Sequence, residues 1–228
     1  MASGDIKFNL EAVQERIALA CRRAGRSRED VTLIAVTKTV APDTIETAYK
    51  LGICHFGENR VQEAEKKIKL LFHLRPNPSW HMIGHLQSNK IKTAVGLFDM
   101  IHSVDSLELA KTLDLRAQSL NHRIPVLLQV NVSGESSKNG FSIKNINAEY
   151  SRICCLPGVI VSGLMTIAPS VKDPEQVRPI FIKLRELRDH FGLEHLSMGM
   201  TDDFEVAIEE GATMIRLGRA IFGERSTL

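Results

Sequence analysis

Lys38 closes the run Val31-Thr32-Leu33-Ile34-Ala35-Val36-Thr37-Lys38, an almost uninterrupted apolar stretch followed shortly by Pro42. Such a run reads as a strand covered on both faces. At its carboxyl end a lysine is walled by apolar neighbours, and desolvation favours the neutral amine, the form that attacks carbonyls. An isolated strand-end lysine more often snorkels to water, so the decision rests on other groups.

Two downstream segments look built for an anion. Ser197-Met198-Gly199-Met200-Thr201-Asp202 sets a glycine and two hydroxyls at a helix start, where free backbone N–H groups and the helix dipole favour negative charge. Taken alone, Thr201 reads as a plain N-cap. Arg216-Leu217-Gly218-Arg219-Ala220 repeats the order of strand, glycine and helix start. In a (β/α)8 barrel the loops after strands seven and eight are the usual phosphate site, so the two signals reinforce each other. A lysine nucleophile facing a phosphate cradle points to pyridoxal 5′-phosphate (PLP) held as a Schiff base on Lys38.

The elements that must position these groups follow in order. Leu10, Val13, Ile17, Ala20 and Ala24 recur at helical spacing before Gly25, giving a helix ahead of the first strand. Further strands are expected at Ile53–Phe56, Trp80–Ile83, Met100–His102, Ile124–Val132, Val159–Met165, Leu196–Met200 (with its loop) and Met214–Leu217, separated by helical patterns such as Pro42–Leu51 and Pro174–Phe191. About eight strands alternating with helices imply an α/β fold, a single (β/α)8 TIM barrel with an additional N-terminal helix, and one domain over residues 1–228. No GxGxxG follows the first strand, which weakens a dinucleotide-binding alternative.

Composition narrows the class. Hydrophobic residues make up 43% of the 228 and charged residues 25%, the balance of a soluble globule. A net charge of +2 is too small to imply nucleic-acid or membrane binding. No apolar run approaches the roughly 20 residues of a membrane span, and the N-terminus lacks a signal-peptide pattern. Cys21, Cys54, Cys154 and Cys155 show no CxxC spacing and are expected as reduced, core-packed thiols of a cytoplasmic protein, with no metal site.

The stretches Ala35-Val36-Thr37-Lys38, Phe56-Gly57-Glu58-Asn59, Trp80 through Lys90, His102-Ser103-Val104-Asp105-Ser106, Asn131-Val132-Ser133-Gly134-Glu135, Gly163-Leu164-Met165, Ser197-Met198-Gly199-Met200 and Arg216-Leu217-Gly218 span nearly the whole chain in order. Together they resemble the YggS/PROSC family of PLP homeostasis proteins. The resemblance implies the fold of the alanine racemase N-terminal domain, with Lys38 as the PLP-linked lysine and Arg216 near the pyridine nitrogen. It also implies phosphate contacts from Ser197, Gly199, Thr201, Gly218 and Arg219. Thr201 stands where the family commonly has serine, and Arg219, often a smaller residue there, serves through its backbone N–H. Asn59 and Met165 fit ring-lining positions, with plain packing at the barrel mouth as the alternative.

An arginine at the pyridine nitrogen does not readily donate a proton, its pKa lying above about 12. The ring would be a poor electron sink, which favours holding the cofactor over carbanion chemistry. The expected function is therefore a carrier or regulator of PLP homeostasis, without catalytic residues, meeting PLP, amino acids and apo-enzyme PLP acceptors. The alternative is a PLP enzyme such as an amino-acid racemase. Racemisation needs bases on both faces of Cα; alanine racemases obtain a tyrosine from an additional domain of a partner subunit. The chain is expected to lack that domain, and Tyr49 and Tyr150 fall in predicted helices. His85 reads as a proton shuttle or a structural histidine, and Lys138 as a second amine or a solvated loop lysine. A monomer is expected, because the barrel's needs are met within one chain.

Overall fold

The computed structural model describes residues 3–135 and 138–224. Eight parallel strands close into a barrel in sequence order: β1 (Thr32–Val36), β2 (His55–Glu58), β3 (Ser79–Met82), β4 (Met100–Val104), β5 (Ile124–Gln129), β6 (Val159–Met165), β7 (His195–Ser197) and β8 (Met214–Leu217). β8 closes the ring against β1 in a register that pairs Ile34 with Arg216 and Ala35 with Leu217. Helices α1 (Ser3–Arg23), α2 (Pro42–Lys50), α3 (Val61–Leu70), α4 (Ile91–Val95), α5 (Leu107–Ser119), α6 (Ile143–Cys154), α7 (Arg178–Phe191), α8 (Phe204–Glu209) and α9 (Arg219–Phe222) surround it.

Side-chain alternation along the strands makes two cores. Ala35, Phe56, Trp80, Met82, Ile101, Val126, Leu164, Leu196 and Leu217 face the helices in the larger one. Ile34, Leu127, Met165 and Met214 fill the barrel interior with Met100 beside them. Fully burying a side chain such as Phe56 contributes about 1.5–3 kcal/mol. The interior apolar set is small, because much of that volume belongs to polar side chains.

The N-terminal helix is longer than its periodicity suggests, beginning at Ser3 rather than near Leu10. Its stripe of Ile6, Leu10, Val13, Ile17, Ala20 and Cys21 is buried. It is tied to the end of the barrel: Arg16 forms a forked ion pair with Glu205 (2.8 and 2.9 Å), and Asn9 Nδ2 donates to Ile221 O at 3.1 Å.

Several boundaries differ from the sequence expectation. β1 ends at Val36, so Lys38 lies in the following turn. β5 ends at Gln129, where Val130 forms an isolated bridge to Phe141. After β3 no α-helix begins until Ile91, which follows a short 3-10 turn at Ser88–Lys90, and Pro174–Val177 is 3-10 rather than α. In the long polar loop Ser133–Gly140, Ser136 and Ser137 lie outside the described residues. Of the cysteines, Cys21 is buried as expected, whereas Cys54, Cys154 and Cys155 are exposed; all four are unpaired. Cys154 and Cys155 fall on the outer face where α6 ends, and Cys54 in the approach to β2. Among the described residues no helix is long and apolar enough to cross a membrane, and no group of His, Cys, Asp or Glu is arranged to hold a metal ion.

Candidate functional site

The carboxyl ends of the strands bring the sequence-expected residues to one mouth. Lys38 is half-buried in the turn Thr37-Lys38-Thr39-Val40, which is closed by Val40 N–H donating to Thr37 O at 2.9 Å. Thr37 N–H still pairs with Gly57 O at 2.9 Å, so the turn starts while the chain is anchored to β2. Thr39 has φ +65°, an uncommon conformation for a β-branched residue. Such strain persists only where the surroundings over-determine it.

Those surroundings are a charged cluster behind the barrel wall. Lys67 of α3 donates from Nζ to Thr37 O (2.6 Å), Glu58 Oε1 (2.8 Å) and Glu63 Oε1 (2.6 Å). Thr37 Oγ1 donates to Glu58 Oε1 at 2.7 Å, and Thr39 N–H donates to Glu63 Oε1 at 2.6 Å. The residues on either side of Lys38 are thus both clamped to α3. Burial pushes the Glu58 carboxyl above the usual carboxylate range, against the hydrogen bonds from Lys67 and Thr37. Burial also works against ionised Glu63, but Lys67 and the Thr39 N–H outweigh it and hold that group below the usual range.

The loops after β7 and β8 meet beside β1. Arg216 N–H donates to Gly199 O at 3.0 Å, joining the two glycine segments. Gly199 has φ +93°, and a Cβ there would lie 2.7 Å from Ala207 Cβ, so the position demands glycine. Gly218 caps α9, and a Cβ there would come to 3.4 Å from Val36 O, which sets this backbone against the strand that leads to Lys38. The first N–H groups of a helix lack internal partners. Thr201 is half-buried in a turn and is not the cap of α8; that place belongs to Asp203, whose Oδ1 accepts from Met200 N–H at 2.6 Å. The Arg219 side chain is exposed, 2.7 Å from Asp202 across the two loops, and Arg219 is the first residue of α9.

Arg216 is buried and points into the barrel. Nη1 donates to Ser197 Oγ at 2.6 Å and Nη2 to Thr166 O at 2.8 Å. Burial lowers its pKa to about 10, with Asp203 opposing, so the guanidinium stays charged at neutral pH. Ser197 Oγ also contacts His102 Nδ1 at 2.9 Å, so this hydroxyl is engaged with Arg216 and His102. Met165 lies in the interior cluster directly beneath the mouth. Asn59 follows β2, and its buried Oδ1 has no hydrogen-bond partner among the described residues. His85 is exposed at the rim, 3.3 Å from Asp105, and Lys138 Nζ donates to Glu135 Oε1 at 2.9 Å. Cavities of about 340 Å³ beside Phe98 and about 270 Å³ beside Leu187 lie among the helices, away from these strand ends.

Sequence reasoning missed Lys67, which lies in the charge-rich helix α3. The signal was present: Val61, Ala64 and Lys67 share one helical face and are all buried. It also missed a ladder of interior histidines, His55, His81 and His102, supplied by the adjacent strands β2, β3 and β4.

The residue set fits PLP: an amine in a fixed turn, glycine backbones beside helix starts, a buried cation, and an unpartnered amide oxygen at the rim. A sequence model of the family described as alanine racemase, N-terminal domain, matches residues 8–226. The chain is 48% identical over 222 residues to a pyridoxal phosphate homeostasis protein of Aquifex aeolicus, covering 95% of this chain and 96% of that protein. The solved structure of PipY from Synechococcus elongatus with PLP bound superimposes with a TM-score of 0.81 at 39% identity, covering 92% of this chain and 100% of PipY. Alanine racemase of Clostridium difficile shares the fold at a TM-score of 0.75 and 15% identity, with 98% of this chain matching 58% of the racemase. The chain therefore belongs to the alanine racemase N-terminal domain family and, within it, to the pyridoxal phosphate homeostasis proteins.

Proposed function

We propose that the chain, acting as one PLP-binding unit, holds PLP as a Schiff base on Lys38 and yields it to amino acids and apo-enzyme acceptors, with little or no turnover of its own. The observation that carries this reading is the double clamp on the Lys38 turn, facing the paired Gly199 and Gly218 loops at one barrel mouth. Bound PLP supplies an aldehyde for reversible capture by an amine; the protein supplies the amine, its orientation and the anion cradle. Gly199, Thr201, Gly218 and the Arg219 N–H are the phosphate contacts in this reading. Ser197 acts through Arg216, Arg216 faces the ring nitrogen, and Asn59 and Met165 line the ring. The relatives' names and the PLP held by PipY support the cofactor assignment.

Non-catalytic holding is supported by the charge at Arg216 and by where the tyrosines sit. Tyr49 OH donates to Pro76 O at 2.8 Å, and Tyr150 stacks on Phe191 with ring centroids 3.9 Å apart. Both are on the helical shell, so neither supplies a base across Cα from Lys38. The four unpaired cysteines suit a reducing cytoplasm, and closure of the barrel within one chain suits a monomer. Incubation with L-alanine in deuterated water tests the functional class. The protein should give at most slow Cα deuteration and negligible D-isomer while surrendering PLP to an apo-enzyme. Racemisation at about 1 per second or faster would make it an enzyme.

A further inference from the structure

A continuous line of hydrogen bonds crosses the barrel interior beneath the mouth. His55 Nδ1 lies 3.0 Å from His81 Nε2, and His81 Nδ1 lies 3.0 Å from His102 Nε2. His102 Nδ1 lies 2.9 Å from Ser197 Oγ, which accepts from Arg216 Nη1 at 2.6 Å. His102 and Ser197 are fully buried, His81 is 4% exposed, and His55, at the amino end of β2, is half-buried. The line therefore runs from the far end of the barrel to the guanidinium at the mouth.

Its polarity can be worked out from donor chemistry. Arginine only donates, so Ser197 offers a lone pair to Arg216. A buried hydroxyl proton needs an acceptor, and His102 Nδ1 is the remaining partner Ser197 Oγ contacts. His102 must then carry its proton on Nε2 and donate to His81 Nδ1, and His81 Nε2 must donate to His55 Nδ1. The opposite polarity would leave the Ser197 proton stranded in the interior. Burial keeps the line neutral: it lowers the His81 pKa to about 3 and that of His102 well below the usual histidine value. In this arrangement every imidazole turns its bare nitrogen toward Arg216, so all the dipoles favour the buried cation.

We propose that His102, Ser197 and, behind them, His81 and His55 are a positioning relay for Arg216, fixing its rotamer and charge so that its remaining N–H groups address the pyridine nitrogen. This rests on the PLP reading above, and it assigns the histidines a role that reaches the cofactor only through Arg216. The ring nitrogen should stay unprotonated for as long as the relay is intact.

The test has two arms. In the protein without PLP, long-range nitrogen-15 correlation spectra should show His81 and His102 as neutral Nε2–H tautomers; Nδ1–H tautomers would overturn the polarity and with it the relay. With PLP labelled at the ring nitrogen, His102→Leu should move the nitrogen-15 resonance toward the pyridinium position and weaken PLP binding about tenfold. His102→Asn places Oδ1 where Nδ1 accepted from Ser197 and should restore the wild-type resonance. His81→Leu, which leaves the His102–Ser197 contact in place, should shift the resonance less than His102→Leu. Wild-type resonances in both leucine variants would overturn the proposal. A wild-type protein without PLP at Lys38 would instead sink the cofactor reading, while the tautomer arm would still decide the line's polarity.

Discussion

Lys67 Nζ lies 2.8 Å from Glu58 Oε1, and both side chains are buried in the barrel wall directly behind the residue preceding Lys38. Removing one partner of a buried pair leaves an uncompensated charge, at about 3–5 kcal/mol. Lys67→Met should therefore destabilise the protein by that amount in denaturant titrations. Adding Glu58→Leu should recover much of the stability, because an apolar replacement removes the stranded carboxylate. PLP capture at Lys38 should not recover, since Thr37 O loses its Lys67 donor and Glu63, which holds Thr39 N–H, loses its ion-pair partner. Lys67→Met within about 1 kcal/mol of wild type would show that the pair is not the anchor described.

Thr39 tests the same turn from the other side. Its φ of +65° costs on the order of 1–2 kcal/mol for a residue with a Cβ. Thr39→Gly relieves that cost and adds unfolded-state entropy, so stability should be unchanged or up by about 1 kcal/mol. The freed turn should hold Lys38 less firmly and lower PLP affinity. A variant that is less stable yet binds PLP as tightly as wild type would contradict the strained-turn reading.

The histidine line has a pH signature of its own. The folded-state pKa of His81 is depressed to about 3 from an ordinary 6.5, so the unfolded chain takes up the proton first as pH falls. The stabilising contribution is complete above pH 6.5 and is lost progressively on the way down towards about 3. His81→Gln should flatten the stability–pH slope by about 1.4 kcal/mol per pH unit at about pH 4–5.5, where the unfolded imidazole is protonated and the folded one is not. An unchanged slope, measured by denaturation across that range, would mean that His81 is protonated in the folded protein.

The two glycine loops should respond differently. Gly199→Ala meets both a left-handed φ and Ala207 Cβ, so it should damage the fold and PLP binding together. Gly218→Ala has a negative φ and meets Val36 O only at 3.4 Å, so the fold should tolerate it. Gly218→Val should then weaken PLP at least tenfold while changing affinity for pyridoxal, which lacks the phosphate, far less. Equal losses for the two vitamers would remove the phosphate from this loop.

The barrel was legible in the sequence because short β-branched runs, interrupted by glycine and proline, alternate with helical spacing. The positions of Lys38, Gly199 and Gly218 at strand ends were legible because each follows such a run, and that of Arg216 because it lies within one. The end of β1 was not: Thr37 and Lys38 continue the run in composition, and only the Lys67 and Glu63 contacts show the chain turning early. Lys67 escaped because charge on a helix usually means solvent, and its partner Glu58 comes from a different element. The histidine ladder escaped because each imidazole looks solitary within its strand, and only the register of three neighbouring strands aligns them. The expected core burial of Cys54, Cys154 and Cys155 failed because composition near a helix end does not say which side faces out.

The proposed function rests on one amine, that of Lys38. Purified protein loaded with PLP, reduced with borohydride and mapped by peptide mass spectrometry tests this directly. A single pyridoxyl label on Lys38 is expected, with loss of both the label and the imine absorbance band in Lys38→Ala. A label on Lys67, Lys138 or another lysine of the native protein, or an imine band that survives in Lys38→Ala, would contradict it.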